Sequence, residues 1–247
     1  MHSISIGALV LCSALLLSST SHAASYGDFA GSTVDFLNVR DQNGLFGAPT
    51  VSVDSLDFSP NTFEAICNGT APCPPTPVTV DDTLTLSIDA QTGSFIDDVL
   101  LTEAGDTTLS SFLNAFAATQ VTATVFIDIF EINGVAVNNI NGNAQMVFTQ
   151  NGQFESNDEG YGTHIWTGSL LIDLDQIIAN AGGSGRATLV EINLNNTLVA
   201  FAASGAVARI EKKDIDGLAI TVVPEPGTAL LMGLGLAGLA SVRRGRA

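Results

Sequence analysis

Basic and redox-active residues are scarce in this chain. Its 247 residues include 8 Lys and Arg against 25 Asp and Glu, with 3 His, 3 Cys and 1 Trp. Three of the bases, Arg243, Arg244 and Arg246, stand at the extreme C-terminus. The other five, Arg40, Arg186, Arg209, Lys212 and Lys213, face all 25 acids between two hydrophobic ends, so the middle carries a formal charge near −20. A field of that sign repels nucleic acid and anionic lipid headgroups, and excludes both as partners of the body. It attracts divalent cations and keeps an exported protein in solution.

Long apolar runs are confined to the two ends. The N-terminus, "MHSISIGALVLCSALLLSSTSHAAS", has a polar start, an apolar stretch from Ile6 to Leu17, and small residues at Ser21 and Ala23. This pattern predicts a signal peptide, residues 1–23, cut by signal peptidase after Ala23. Its apolar core is short for a permanent span. Cys12 departs with it. Cys67 and Cys73 remain, in "AICNGTAPCPP", and an exported pair at that spacing predicts a disulfide. Closing so small a loop stabilises by roughly 2 kcal/mol on a chain-entropy estimate.

The C-terminus reads "VVPEPGTALLMGLGLAGLASVRRGRA". From Gly227 to Val242 every residue is apolar, Gly, Ser or Thr. A helix of that length covers about 24 Å, a little under a hydrocarbon core of about 30 Å. The arginines that follow stay on the cytoplasmic side, which places the body outside. Ala229, Gly233, Ala237 and Ser241 form a small-residue stripe that would let another membrane helix approach, or simply reflect glycine enrichment in a span. "GLGLAG" matches a dinucleotide fingerprint only formally, because no βαβ unit can follow it.

Pro224-Glu225-Pro226, a short glycine-rich span and a terminal arginine cluster together resemble the PEP-CTERM sorting signal of Gram-negative bacteria. The resemblance covers residues 224–247. It implies recognition by an exosortase, a membrane-embedded processing enzyme that removes the tail in transit to the cell surface, and an association with exopolysaccharide and biofilm material. The two prolines also deny Glu225 a regular helix and leave it extended for a processing cleft. "EAGDTTL" and "NLNNTLVAFAASGAVARIEKKDIDGLAITVV" resemble an extracellular body that recurs in other PEP-CTERM proteins.

Between the ends, residues 24–223 show strand after strand and no internal repeat. "TLTLSIDA" puts Leu84, Leu86 and Ile88 on one face. "VTATVFIDIFEI" puts Val121, Ala123, Val125, Ile127 and Ile129 on one face and Thr122, Thr124, Phe126, Asp128 and Phe130 on the other, predicting partial cover on both. Asn133-Gly134 and Asn141-Gly142 read as hairpin turns. "DLDQIIANAGG" alone reads as a helix, capped by Asp173 or Asp175 and ended at Gly182. The expected fold is all-β, an antiparallel β-sandwich of jelly-roll kind with one short helix, the alternative being a β-barrel with a ligand cavity.

Catalytic constellations are missing. After export His164 is the sole histidine, and no HExxH, CxxC pair or GxSxG elbow occurs. Calcium is the one cofactor worth testing. Its candidate loops are Asp81-Asp82, Asp97-Asp98, Asn157-Asp158-Glu159, and Asp214 with Asp216. Carbohydrate recognition needs exposed aromatic faces, and Tyr161, His164 and Trp166, next to "SNDEG", are the candidate sugar site. The expected function is that of a non-catalytic exported surface or matrix protein that binds glycan or calcium. A secreted polysaccharide-acting enzyme, drawing on the many carboxylates, is the alternative.

Overall fold

The computed structural model describes residues 23–60, 62–213 and 218–223. The expected signal peptide, the membrane helix with its small-residue stripe, the basic tail and the Asp214/Asp216 pair lie outside the described residues. Among the described residues no helix is long and apolar enough to cross a membrane.

The strands are β1 (Ala24–Ala30), β2 (Val34–Asp41), β3 (Pro49–Ser52), β4 (Ser55–Phe58), β5 (Glu64–Cys67), β6 (Val78–Ala90), β7 (Asp98–Ser111) and β8 (Ala117–Ile132). They continue with β9 (Val135–Gln145), β10 (Val147–Phe148), β11 (Gln153–Glu155), β12 (Gly162–Asp173), β13 (Ala187–Ala202), β14 (Ala206–Lys212) and β15 (Leu218–Val223). The helix α1, Leu174–Asn180, follows β12. The first sheet runs β1-β2-β6-β13-β8, with β9 and β11 sharing the outer edge of β8. The second runs β10-β12-β7-β15-β4-β3, with β14 beside β15 on the same edge of β7 and pairing β5 beyond it. The pairings are antiparallel, and the sheets face each other as a β-sandwich.

Alternation in the sequence builds the core between them. Leu84, Leu86 and Ile88 point inward and are buried, as are Val121, Ala123, Val125, Ile127 and Ile129. The opposite face of β8 is more open than its pattern predicts, with Phe126 46% and Phe130 44% exposed. The only tryptophan, Trp166, is fully buried and lies across its cross-strand partner Gly105, whose missing side chain leaves room for the indole. The Phe148 ring meets Trp166 edge-on at 5.8 Å, in the space that Gly168 leaves.

Local signals hold where the expected partners are close in sequence. The Asp173 carboxylate accepts the Gln176 N–H at 2.7 Å and caps α1, and Gly182 beyond its end has φ +78°. Asn133 and Gly134, with φ of 52° and 74°, form the two-residue turn from β8 to β9. Asn141-Gly142 is different. It lies inside β9, paired with Asp128 and Ile127, and forms no turn. Ile177 of α1 packs over Gly142, where an added Cβ would sit 3.2 Å from Ile177 Cδ1. The glycine serves helix–sheet packing there, and cross-strand pairing overrides the turn preference of the dipeptide. Cys67 and Cys73 are joined by a disulfide, both buried.

Candidate functional site

The sequence-based sugar site does not assemble. β12 alternates, so His164 and Trp166 point to the core side and Thr163 and Ile165 to solvent. Trp166 is sealed in the core and offers no face to a ligand. Tyr161 is partly exposed, and its hydroxyl donates to the Ala115 carbonyl at 3.0 Å.

Of the expected calcium loops, those of Asp82 and Asp97 turn their carboxylates to other partners. Asn157-Asp158-Glu159 forms a turn in which the N–H groups of Asp158 and Glu159 both donate to the Glu155 carbonyl, at 3.1 and 2.9 Å. Asp97 holds the Arg186 guanidinium, with Nε at 2.6 Å from Oδ1. Asp82 is buried and accepts backbone N–H groups from Gln42, Asn43, Leu45 and Thr83 at 2.7–3.0 Å. Burial raises its carboxyl above the ordinary range, and the N–H groups of Leu45, Asn43 and Thr83 pull it back. Asp41 does similar work from the other side, accepting the N–H groups of Gly44 and Phe46 and the Tyr26 hydroxyl. Together they shape the loop that carries Phe46 into the core. Among the described residues no group of three or more His, Cys, Asp or Glu side chains is placed to hold a metal ion.

A different surface has the chemistry that the expected site lacks. On the outer face of the first sheet, Phe126 and Phe130 stand on β8 about 13 Å apart along the strand. Phe126 is flanked by Asn143 of β9 and Asn193 of β13, its directly opposed partners. Asp128, between the rings, is opposed by Asn141 and Glu191. Residues opposed in an antiparallel ladder share a face, so two aromatic rings sit in a field of amides and carboxylates. The Thr85 hydroxyl donates to Asn193 Oδ1 at 2.7 Å, and Asn193 Nδ2 donates to Glu191 at 3.1 Å, which fixes the amide. At the β9 edge the surface turns into a cleft of about 420 Å³, where Asn141 and Asn143 meet Gln176 and Asn180 of α1. The sequence exposed half of this site, the outward Phe126, Asp128 and Phe130. The register that brings in Asn143 and Asn193 was not readable from it.

The C-terminal end of the body is equally defined. β15 pairs Val223 with Asp98, at the start of β7, and the Val222 N–H donates to the Asp54 carbonyl at 2.9 Å. The family model described as the PEP-CTERM protein-sorting motif matches residues 222–244, so the motif begins on these last strand residues. This is a PEP-CTERM domain-containing protein. The motif is recognised by exosortase, and it implies export with a membrane-anchored sorting signal in transit.

No curated protein matches the chain. Among solved structures it is similar to TmCBM61 in complex with β-1,4-galactotriose, at 10% identity and a TM-score of 0.22, over 74% of this chain and 92% of that one. It is also similar to the enzymatically active domain of tailspike protein 4 of bacteriophage CBA120, at 13% identity and a TM-score of 0.20, over 78% of this chain and 19% of that one. Scores this low give neither likeness weight for fold or ligand.

Proposed function

We propose that this PEP-CTERM protein is a non-catalytic component of the cell surface or extracellular matrix, whose body binds a neutral polysaccharide through the outer face of its first sheet. Signal peptidase removes residues 1–23, and the exosortase releases the body from its tail. The observation that carries the binding reading is Phe126, half exposed between Asn143 and Asn193. The C–H face of a pyranose ring packs on an aromatic ring, while amides and carboxylates replace the water bound to its hydroxyls. Two rings along one strand suit an extended chain of several sugars. The net negative charge of the body favours an uncharged polymer over one rich in uronates.

Calorimetry of the exported protein against neutral exopolysaccharide and oligosaccharides tests this. Phe126→Ala is expected to weaken binding about tenfold or more while leaving thermal stability nearly unchanged, because the ring is half in solvent. Equal binding by the variant and the wild type, or no binding to any neutral glycan, contradicts the reading.

A further inference from the structure

The centre of the sandwich holds three polar side chains where an apolar core is expected. Glu103 of β7, Asn196 of β13 and Lys212 of β14 all point between the sheets, each at most 4% exposed. Lys212 Nζ lies 2.6 Å from Glu103 Oε2, and Asn196 Nδ2 donates to Glu103 Oε1. One carboxylate thus holds an amine and a carboxamide against its two oxygens. Phe46 and Phe63 close over the amine, their ring centroids 5.6 and 5.2 Å from Nζ. Asn196 Oδ1 is buried with no hydrogen-bond partner among the described residues. Such a pair stabilises a fold poorly, since removing its charges from water costs as much as the attraction returns. The arrangement calls for another explanation.

We propose that Lys212 and Asn196 react with each other to form an intramolecular isopeptide bond, with Glu103 as the catalytic acid and base. Lys212 passes a proton from Nζ to Glu103 Oε2, and the neutral amine attacks Asn196 Cγ. Rotation of the carboxamide by half a turn places Oδ1 on protonated Glu103, which then donates to the developing oxyanion; the two orientations differ only in which atom is assigned as oxygen. The attack forms the Cγ–Nζ bond, and collapse of the tetrahedral intermediate restores the carbonyl and breaks the Cγ–Nδ2 bond. The displaced nitrogen takes its third proton through Glu103 and leaves as ammonia. An amine and a primary amide become a secondary amide and ammonia, with no oxidant, reductant or cofactor.

The surroundings suit each requirement. Burial, the first cause, lowers the Lys212 amine below its ordinary range, and the charge and hydrogen bond of Glu103 oppose that shift. The two partners are held against the two oxygens of the same carboxylate by strands of opposite sheets, which supplies the proximity a slow amide exchange needs. Exclusion of water removes hydrolysis as a competitor. The product ties β13 of the first sheet to β14 of the second by a covalent bond.

Mass spectrometry of the purified full chain after reduction decides the matter. The expected result is a mass about 17 Da below that of the linear sequence, the loss of one ammonia, and a branched peptide joining Asn196 to Lys212 after proteolysis. Glu103→Gln, which keeps both reacting groups, is expected to restore the linear mass and yield separate peptides, with a folded β-type circular dichroism spectrum showing that the sandwich still forms. Separate, unmodified Asn196 and Lys212 peptides from the wild-type protein would overturn the proposal without reference to any variant. So would a branched peptide that persists in Glu103→Gln, which would remove Glu103 from the chemistry.

Discussion

The Asp54 carboxylate accepts the Thr33 N–H at 2.8 Å and the Thr33 hydroxyl at 2.9 Å. The same Oδ1 accepts the Ser32 N–H at 2.7 Å. Thr33 lies just before β2 of the first sheet, and Asp54 sits in the turn between β3 and β4 of the second, so one buried carboxylate latches the two layers. Asp54→Ala strands these donors and is expected to cost about 2 kcal/mol. For a body of this size that lowers the melting temperature by about 4–8 °C, measurable by calorimetry.

Trp166 makes the core easy to monitor. Because the only indole is fully buried over Gly105, its fluorescence is expected to be blue-shifted and protected from iodide quenching in the folded protein. Gly105→Ala pushes a methyl group into the ring edge and the Glu211 carbonyl. It is expected to destabilise by about 1–3 kcal/mol and to red-shift the emission. A fully exposed tryptophan signal in the wild type would contradict the packing described and reopen Trp166 as a ligand contact.

Asp98 supplies a pH-dependent test. Desolvation first, then the charges of Asp173, Asp97 and Asp175, raise its carboxyl above the ordinary value of 3.8. A raised carboxyl means that the folded state binds its proton more tightly than the unfolded chain does. The stabilisation from this proton is therefore complete below the ordinary value and lost as pH rises through the raised one. Asp98→Asn is expected to increase the melting temperature at neutral pH, with the gain vanishing as pH falls below about 4. A gain that persists at low pH would point to packing and away from charge.

The fold was legible where a signal and its consequence lie within a few residues. Asp173 caps its own helix, Asn133-Gly134 turns its own hairpin, and the alternation in β6 and β8 selects the buried side directly. Asn141-Gly142 misled because its local preference loses to the ladder with β8 and to Ile177, contacts set by distant parts of the chain. His164 and Trp166 were drawn into a site by nearness in sequence, although strand parity already placed both on the core side of β12. Asn143 and Asn193 lie 50 residues apart and flank Phe126 only through the sheet register. The Glu103–Asn196–Lys212 cluster was least accessible of all, because three separate strands each contribute one of its residues and only the sheet pairing brings them together.

The measurement that bears most directly on the account is the C-terminal sequence of the mature protein, obtained by mass spectrometry of material from the cell surface. Exosortase sorting predicts an end close to Glu225, immediately beyond β15, with the apolar stretch and Arg243, Arg244 and Arg246 gone. Recovery of surface protein that still ends in Val-Arg-Arg-Gly-Arg-Ala would contradict it.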